Sequence, residues 1–220
     1  MRLAATVMLV RPGASSGIEL FLLRRSARST FVPDAYVFPG GTVEAQDYDV
    51  ASDRAVAGVA AQFRATVPRE LPTDCSPVGE RDAAALVRAA LRELHEEAGV
   101  RLHDAGALSL FSHWITPPSE PRRYDTHFFI ASAPLDQLAQ ADAVETHDGV
   151  WISPQRALER SRDGALYLVY PTIKHLERLL PFATVDEAIA FARRKPILTI
   201  MPSDSPANGF TMPAALENLW

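Results

Sequence analysis

Apolar and polar positions follow two rhythms along the chain, and the change from one to the other sets the expected elements. Leu3 to Val10 and Glu19 to Leu23 are short apolar runs separated by Pro12, Gly13, Ser15, Ser16 and Gly17. Runs of that length bounded by turn-forming residues predict two strands joined by a polar loop, and a hairpin suits them. Tyr36-Val37-Phe38 is a third short apolar segment, broken at once by Pro39-Gly40-Gly41, a turn that glycine accommodates most easily. From Asp47 to Glu80 the rhythm changes, with alanine-rich helical spacing around Val56 to Ala65 giving way to Pro68, Pro72 and Pro77. This stretch reads as an inserted helix and loop over about residues 48–81.

Asp82 to Ala98 carries the clearest helical signal. Its interior is rich in Ala, Leu, Arg and Glu, Asp82 is a candidate cap for its start, and Gly99 is a candidate stop. Ala107 to Ser112, Tyr124 to Ser132 and Gly149 to Ile152 then predict strands, with a helical or looped stretch from Leu135 to Ala141 between the last two. Ser153 to Ser161, Pro171 to Leu180 and Val185 to Arg194 predict helices, the last ended by Pro196, and Ile197 to Met201 predicts a final strand. The tail to Trp220 has no clear period. The succession predicts an α+β chain: one domain over residues 1–220, with extra C-terminal helices over about 153–220.

Composition then narrows the function classes. With 47% hydrophobic and 22% charged residues the chain fits a soluble globular protein with a sizeable core. A net charge of -5 argues against general nucleic-acid binding, which draws its affinity from clustered cationic phosphate contacts. A small anionic ligand needs only a few cations. Arg24, Arg25 and Arg28, the pair Arg122 and Arg123, and the run Arg193-Arg194-Lys195 are candidates, with solvated surface charge as their ordinary role. The single cysteine, Cys75, excludes an intrachain disulfide and a Cys-rich zinc site, and predicts a reducing, cytoplasmic setting. The apolar N-terminus is closed by Arg11-Pro12-Gly13, so a buried first strand is expected in place of a signal sequence. No run approaches the ~18 apolar residues that would argue for a membrane span.

Candidate chemistry sits on the central helix. On a wheel of about 100 degrees per residue, Glu97 and Glu96 fall at about +40 and -60 degrees from Glu93, so three carboxylates share one face. Val87, Leu91, Leu94 and Ala98 form a separate apolar stripe that packing would bury, fixing where the carboxylates point. Like charges at that spacing repel, and a divalent cation resolves the repulsion; a solvated acidic face is the bland alternative. All-oxygen ligands favour magnesium, or manganese, over zinc. His95 and His113 invite a zinc reading, but no second histidine completes an HExxH pattern after His95, and neither a GxxxxGK[ST] loop nor a GxSxG elbow occurs.

Arg92-Glu93-Leu94-His95-Glu96-Glu97-Ala98-Gly99-Val100 resembles, at every fixed position, the second half of the Nudix box, and Tyr36-Val37-Phe38-Pro39-Gly40-Gly41 is similar to the turn that opens it. The order of the two halves matches the family. Two departures stand out: Asp47 occupies the place of a box glutamate, and 44 residues, Tyr48 to Leu91, replace the seven of the family box. The box is therefore split by the predicted insertion, an arrangement with modest closure cost if its ends stay close. The resemblance implies an α/β/α sandwich around a mixed sheet, with the helical insertion inside the box. It also implies that Glu93, Glu96 and Glu97 ligate metal, that the Gly40 carbonyl adds a ligand, and that Arg92 orients the carboxylates. Such enzymes cut a pyrophosphate linkage with a metal-activated water. Glu97 or Glu93 would serve as base, with Glu145, just before the strand at Gly149, as an outside candidate.

His113-Trp114-Ile115-Thr116-Pro117-Pro118 and Arg122-Arg123-Tyr124-Asp125-Thr126-His127-Phe128-Phe129 look like a branch of that family with a split box, which includes peroxisomal coenzyme A diphosphatases and bacterial relatives. The branch implies cleavage of coenzyme A or an acyl derivative into 3',5'-ADP and a 4'-phosphopantetheine product. Arg122 or Arg123 would hold a phosphate, and Trp114 or Tyr124 would stack on adenine, unless alternation along the strand sends those rings to the core. The expected partner is thus a small nucleoside diphosphate derivative, with no nucleic acid or membrane, and a homodimer by analogy. ADP-ribose or a dinucleotide is the alternative substrate, and a non-cutting nucleotide sensor is a rival of another class. An isoprenoid diphosphate isomerase would need a catalytic cysteine, and Cys75 lies in the insertion.

Overall fold

A computed structural model of the chain describes residues 1–14, 17–29, 32–48, 54–67, 75, 77–142, 146–205, 209–217 and 219–220. Its centre is the first strand, β1 (Arg2–Pro12). Ala5, Val7 and Leu9 go to one apolar cluster, Met8 and Val10 to another, and all five are fully buried. A strand covered on both faces has no polar side to show, which is why this segment reads as a continuous apolar run.

The strands β2 (Ile18–Arg25), β3 (Tyr36–Val37) and β4 (Gly40–Thr42) follow, then α1 (Ala45–Tyr48), α2 (Arg54–Ala60) and a two-residue strand β5 (Thr66–Val67). The long helix α3 (Glu80–Ala98) leads to β6 (Ser109–Ile115), β7 (Tyr124–Ser132) and β8 (Thr146–Ile152). Next come α4 (Pro154–Arg162), α5 (Tyr170–Leu179), α6 (Val185–Arg194) and β9 (Ile197–Ile200), and a small hairpin, β10 (Ser203–Ser205) with β11 (Gly209–Thr211), stands apart from the main sheet.

The main sheet runs β3-β2-β1-β7-β6-β9-β5, with β4 also on β1 and β8 also on β2. It is mixed: β1 pairs parallel with β7 from Arg2↔Tyr124 to Val10↔Ser132, but antiparallel with β4 at Ala4↔Thr42, Ala5↔Gly41 and Thr6↔Gly40. Helices α2 and α3 bury Val56, Val59, Leu86, Val87 and Leu94 against one face, and α4, α5 and α6 bury Ala157, Leu176, Leu179 and Ala188 against the other. The layers are those of the expected α/β/α sandwich. Among the described residues no helix is long and apolar enough to cross a membrane.

Two expectations about elements need correction, Asp82 as a cap and the content of the insertion, and the stretch left open as helical or looped is a loop. Asp82 does not cap α3: the cap position is Gly79, without a side-chain bond, and Asp82 accepts a hydrogen bond from the Tyr48 hydroxyl at 3.0 Å. Three residues into the helix, its carboxylate acts on the helix dipole and ties α1 to α3. Leu135 to Ala141 is a loop, held to the end of α3 by Gln140 N–H donating to Ala98 O at 3.0 Å and by Gln137 bonding both backbone groups of Arg101. The insertion contributes β5, parallel to β9, which a proline-broken stretch gave no reason to expect. At the other end of α3, Gly99 takes the left-handed conformation, φ 67°, that makes glycine the natural stop.

Candidate active site

The site is built where β4 crosses the middle of α3. At Gly41 a Cβ would overlap the Glu93 carboxylate, and at Gly40 it would press on the backbone of Ala5 and Thr6. Two consecutive glycines therefore let the strand lie flat between β1 and the helix. Gly40 N–H donates to Glu97 Oε2 at 2.8 Å, a bond between segments 57 residues apart in sequence. Glu97 is only 6% exposed, because it lies on the side of α3 that faces the sheet.

Arg92 organises the other carboxylates. Its Nε and Nη2 donate to the two oxygens of Asp47 at 3.1 and 3.0 Å, and its Nη1 donates to Glu93 at 2.8 Å and Glu96 at 2.9 Å. Nη2 also reaches the carbonyl of Thr42 on β4 at 3.0 Å. Burial works against the guanidinium charge, but the bonds to Asp47, Glu93 and Glu96 outweigh it and raise the Arg92 pKa above its ordinary value. Asp47 is 3% exposed and fixed three ways: by Arg92, by Glu44 N–H on its Oδ2 at 2.8 Å, and by Arg88 Nη1 on its carbonyl at 3.0 Å. The sequence places Asp47 where the family box has a glutamate, and the fold gives it work as the anchor of Arg92.

Three carboxylates, Asp47, Glu93 and Glu96, thus converge on one guanidinium, and Glu97 lies one helical turn after Glu93, held by Gly40. The side chains of Glu93 and Glu96 are 12% and 52% exposed, so the cluster opens from the sheet towards solvent. An all-oxygen set with an excess of negative charge fits a hard divalent cation and not zinc.

The proposed substrate residues fall into two groups. Arg122, Arg123 and Tyr124 lie at the end of the sheet where β1 begins, since Tyr124 pairs with Arg2 two residues from the Ala4↔Thr42 pair. Arg123 Nε donates to Thr116 O at 2.9 Å, Arg122 is exposed, and Tyr124 is partly buried. Trp114 is a correction. It is 3% exposed on the face opposite α3, edge-on to Trp220 at 5.3 Å and Tyr170 at 6.3 Å, so no ring face is open to adenine. Glu145 lies outside the described residues.

A second cluster joins His113, discounted as a zinc ligand on sequence, to two residues the sequence reading did not group with it. His113, Asp125 and His127 are buried on the α3 face of the sheet, their nearest ligand atoms all within 4.8 Å. His113 Nε2 and Asp125 Oδ1 are 2.7 Å apart, His113 Nδ1 and Thr199 Oγ1 2.9 Å, and the His127 ring stacks on His113 at 4.1 Å with 12° between planes. A metal lies in the plane of each imidazole that binds it, and two nearly parallel rings offer no shared point. This is a hydrogen-bonded stack. Burial first, then the neighbouring His113, holds the His127 pKa well below its ordinary value, so its imidazole is neutral. A groove of about 690 Å³ beside α2, lined among others by Arg54, Gln62, Asp104 and Arg193, includes none of Asp47, Glu93, Glu96 and Glu97.

Comparison with known proteins agrees with this geometry. Residues 1–106 match a domain described as the NUDT19 Nudix domain, and residues 61–171 match the NUDIX domain. The chain is 26% identical over 268 residues to acyl-coenzyme A diphosphatase NUDT19 of Gallus gallus, covering 87% of this chain and 71% of that one. Against the Homo sapiens protein of the same name it is 26% identical over 247 residues, covering 82% of this chain and 65% of that one. The chain therefore spans about two thirds of the length of these relatives. A crystal structure of a NUDIX hydrolase from Alicyclobacillus acidocaldarius superposes with a TM-score of 0.67 at 25% identity, covering 86% of this chain and 96% of that one. The NUDIX match runs from the insertion through α3 to the start of α5, over half of the chain, and it carries the conclusion that the turn and the helix pointed to: this chain belongs to the Nudix family.

Proposed function

We propose that this chain is a magnesium-dependent pyrophosphohydrolase that cuts the diphosphate of coenzyme A or an acyl-coenzyme A. The observation that carries the chemistry is the frame in which Asp47 holds Arg92, Arg92 holds Glu93 and Glu96, and Gly40 holds Glu97. Glu93, Glu96 and Glu97, with the Gly40 carbonyl, would hold magnesium or manganese, which when bound supplies an activated water and neutralises charge on the diphosphate. Arg92 keeps the carboxylates at fixed separation, so little reorganisation is needed as charge develops. Glu93 or Glu97 accepts the proton of the attacking water. Arg122 or Arg123 binds a phosphate of the nucleotide, and Tyr124 at the head of β7 offers a partly exposed ring for the base. The substrate class rests on the names of the relatives and on the shared insertion within the box. The products are 3',5'-ADP and a 4'-phosphopantetheine species.

A panel of coenzyme A, acetyl-coenzyme A, ADP-ribose, NADH and nucleoside triphosphates, assayed with magnesium and after chelation, tests the proposal. Cleavage of the coenzyme A compounds, lost on chelation and in Glu96→Gln and Glu97→Gln, is expected. Tight binding without turnover of any compound would overturn the enzyme reading, and cleavage of ADP-ribose but not coenzyme A would overturn the substrate.

A further inference from the structure

The insertion that splits the box supplies one wall of the groove of about 690 Å³. Arg54, Gly58 and Val59 come from α2, and Gln62 from the 3-10 turn that follows it, Ala61–Ala65. The rest of the lining includes Asp104, which caps the turn Ala105–Ala107, and Arg193 in the last turn of α6. A volume of this size is that of a small-molecule site. Val59 is buried and Gly58 carries no side chain; a Cβ built on Gly58 would meet nothing within 4 Å. The α2 wall is therefore an open apolar strip.

Arg193 Nε donates to Oγ of the buried Ser109 at 3.1 Å, which anchors the guanidinium to β6 and leaves both Nη groups as donors. Arg54 is exposed, and neither arginine forms an ion pair among the described residues. Gln62 Oε1 accepts from Leu110 N–H at 2.8 Å, which fixes the amide and leaves its nitrogen to donate. Asp104 Oδ1 accepts from Gly106 N–H at 2.8 Å, and its second oxygen remains an acceptor. Two guanidinia from helices on opposite faces of the sheet thus share one concavity with no protein anion to balance them both. A phosphate accepts paired bonds from arginine, and a dianion matches two guanidinia. No lining residue is aromatic, so a purine finds no ring to stack on, whereas an aliphatic arm suits the strip at Gly58 and Val59.

We infer that this groove is a second ligand site and takes an aliphatic phosphomonoester. Arg54 and Arg193 hold the phosphate, the arm lies along Gly58 and Val59, and Gln62 and Asp104 bond an amide of the arm as donor and acceptor. The 4'-phosphopantetheine product has this chemistry: a terminal phosphate on an aliphatic arm that carries amides. Because the groove includes none of Asp47, Glu93, Glu96 and Glu97, product held there leaves the carboxylates free for the next substrate. The inference rests on the proposed function only for the choice of that compound.

Titration calorimetry on the full chain, with chelator present, tests this. 4'-Phosphopantetheine is expected to bind, and pantetheine, inorganic phosphate and 3',5'-ADP to bind at least about tenfold more weakly, since each lacks part of the match. Arg54→Gln and Arg193→Gln should each weaken binding about tenfold, the usual effect of losing a charge-assisted bond. Gly58→Leu puts a side chain into the open groove and should abolish binding with the melting temperature unchanged, while Glu97→Gln should bind as wild type does. No binding of 4'-phosphopantetheine, or binding that the groove variants leave unchanged, overturns the inference. Loss of binding in Glu97→Gln would seat the ligand among the carboxylates and overturn it as well. Equally tight binding of 3',5'-ADP overturns the aliphatic arm. If Gly58→Leu folds poorly, the two variants at exposed arginines decide. Failure of the pyrophosphatase reading shows separately, as absence of turnover with magnesium.

Discussion

At the residue scale, the site depends on charges that one guanidinium holds apart. Glu97→Gln keeps the shape and the bond from Gly40 N–H but removes a charge from the proposed metal site. Its kcat is expected to fall by about 10²-fold or more, with the melting temperature little changed. A kcat within a few-fold of wild type would remove Glu97 from the ligand set. Asp47 acts one step back, as a positioning residue. In Asp47→Asn, Arg92 loses its charged anchor while its bonds to Glu93 and Glu96 remain. Roughly 10–100-fold lower activity is expected, together with a higher magnesium concentration for half-maximal rate, as for outer partners of metal ligands generally. An unchanged magnesium dependence would show that Asp47 serves stability alone.

Elements carry the next set of consequences. Strand β4 is compatible with α3 because Gly41 has no side chain; in Gly41→Ala the added methyl must displace the Glu93 carboxylate. Overpacking of this kind typically costs about 1–3 kcal/mol, and here the displaced group is a proposed ligand. Activity should therefore fall by more than the loss of folded protein explains, a comparison that chemical denaturation and kcat settle together. Helix α6 makes the opposite case. Its capping box joins Thr184 Oγ1 to Glu187 N–H at 3.2 Å and the Glu187 carboxylate to Thr184 N–H at 3.1 Å, on the sheet face away from the carboxylates. Thr184→Ala is expected to cost about 1 kcal/mol of stability and leave kcat unchanged. A large drop in kcat would mean that the two faces are coupled.

For the whole molecule, the cost of burying two neutral histidines should appear as a pH dependence of folding. His175 is fully buried, 2.6 Å from Ser112 Oγ through Nε2 and 2.6 Å from Pro171 O through Nδ1. Burial, opposed by the Pro171 carbonyl and aided by the Lys195 charge, lowers its pKa to about 3, and His127 shifts the same way. A folded pKa below the unfolded value means that only the unfolded chain takes up the proton as pH falls. Stability is complete above about pH 6.5 and declines below it, by about 1.4 kcal/mol per pH unit for each histidine, until the folded pKa is reached. Urea unfolding at pH 7.5, 6 and 5 measures the slope, and His175→Gln should remove about half of it. A flat profile would mean that these imidazoles accept protons in place.

Local chemistry made much of this protein legible in its sequence. Helical spacing put Glu93, Glu96 and Glu97 on one face, Gly99 marked where α3 ends, and the apolar run from Leu3 to Val10 predicted a buried first strand. These features depend on neighbours a few residues away, and a period is enough to express them. What the sequence left open depends on contacts across the chain. The parallel pairing of β1 with β7 and the strand that the insertion adds beside β9 are set by register and crossover, which leave no mark in composition. Trp114 shows the limit most plainly: its aromatic type suited a ligand site, but the alternation of β6 turns it to the face opposite α3. The same holds for Asp47, 45 residues from Arg92 in sequence and bonded to it in the fold. Helical periodicity alone put the carboxylates on one face; only tertiary packing, by pressing β4 and Asp47 against α3, decided which groups hold them there.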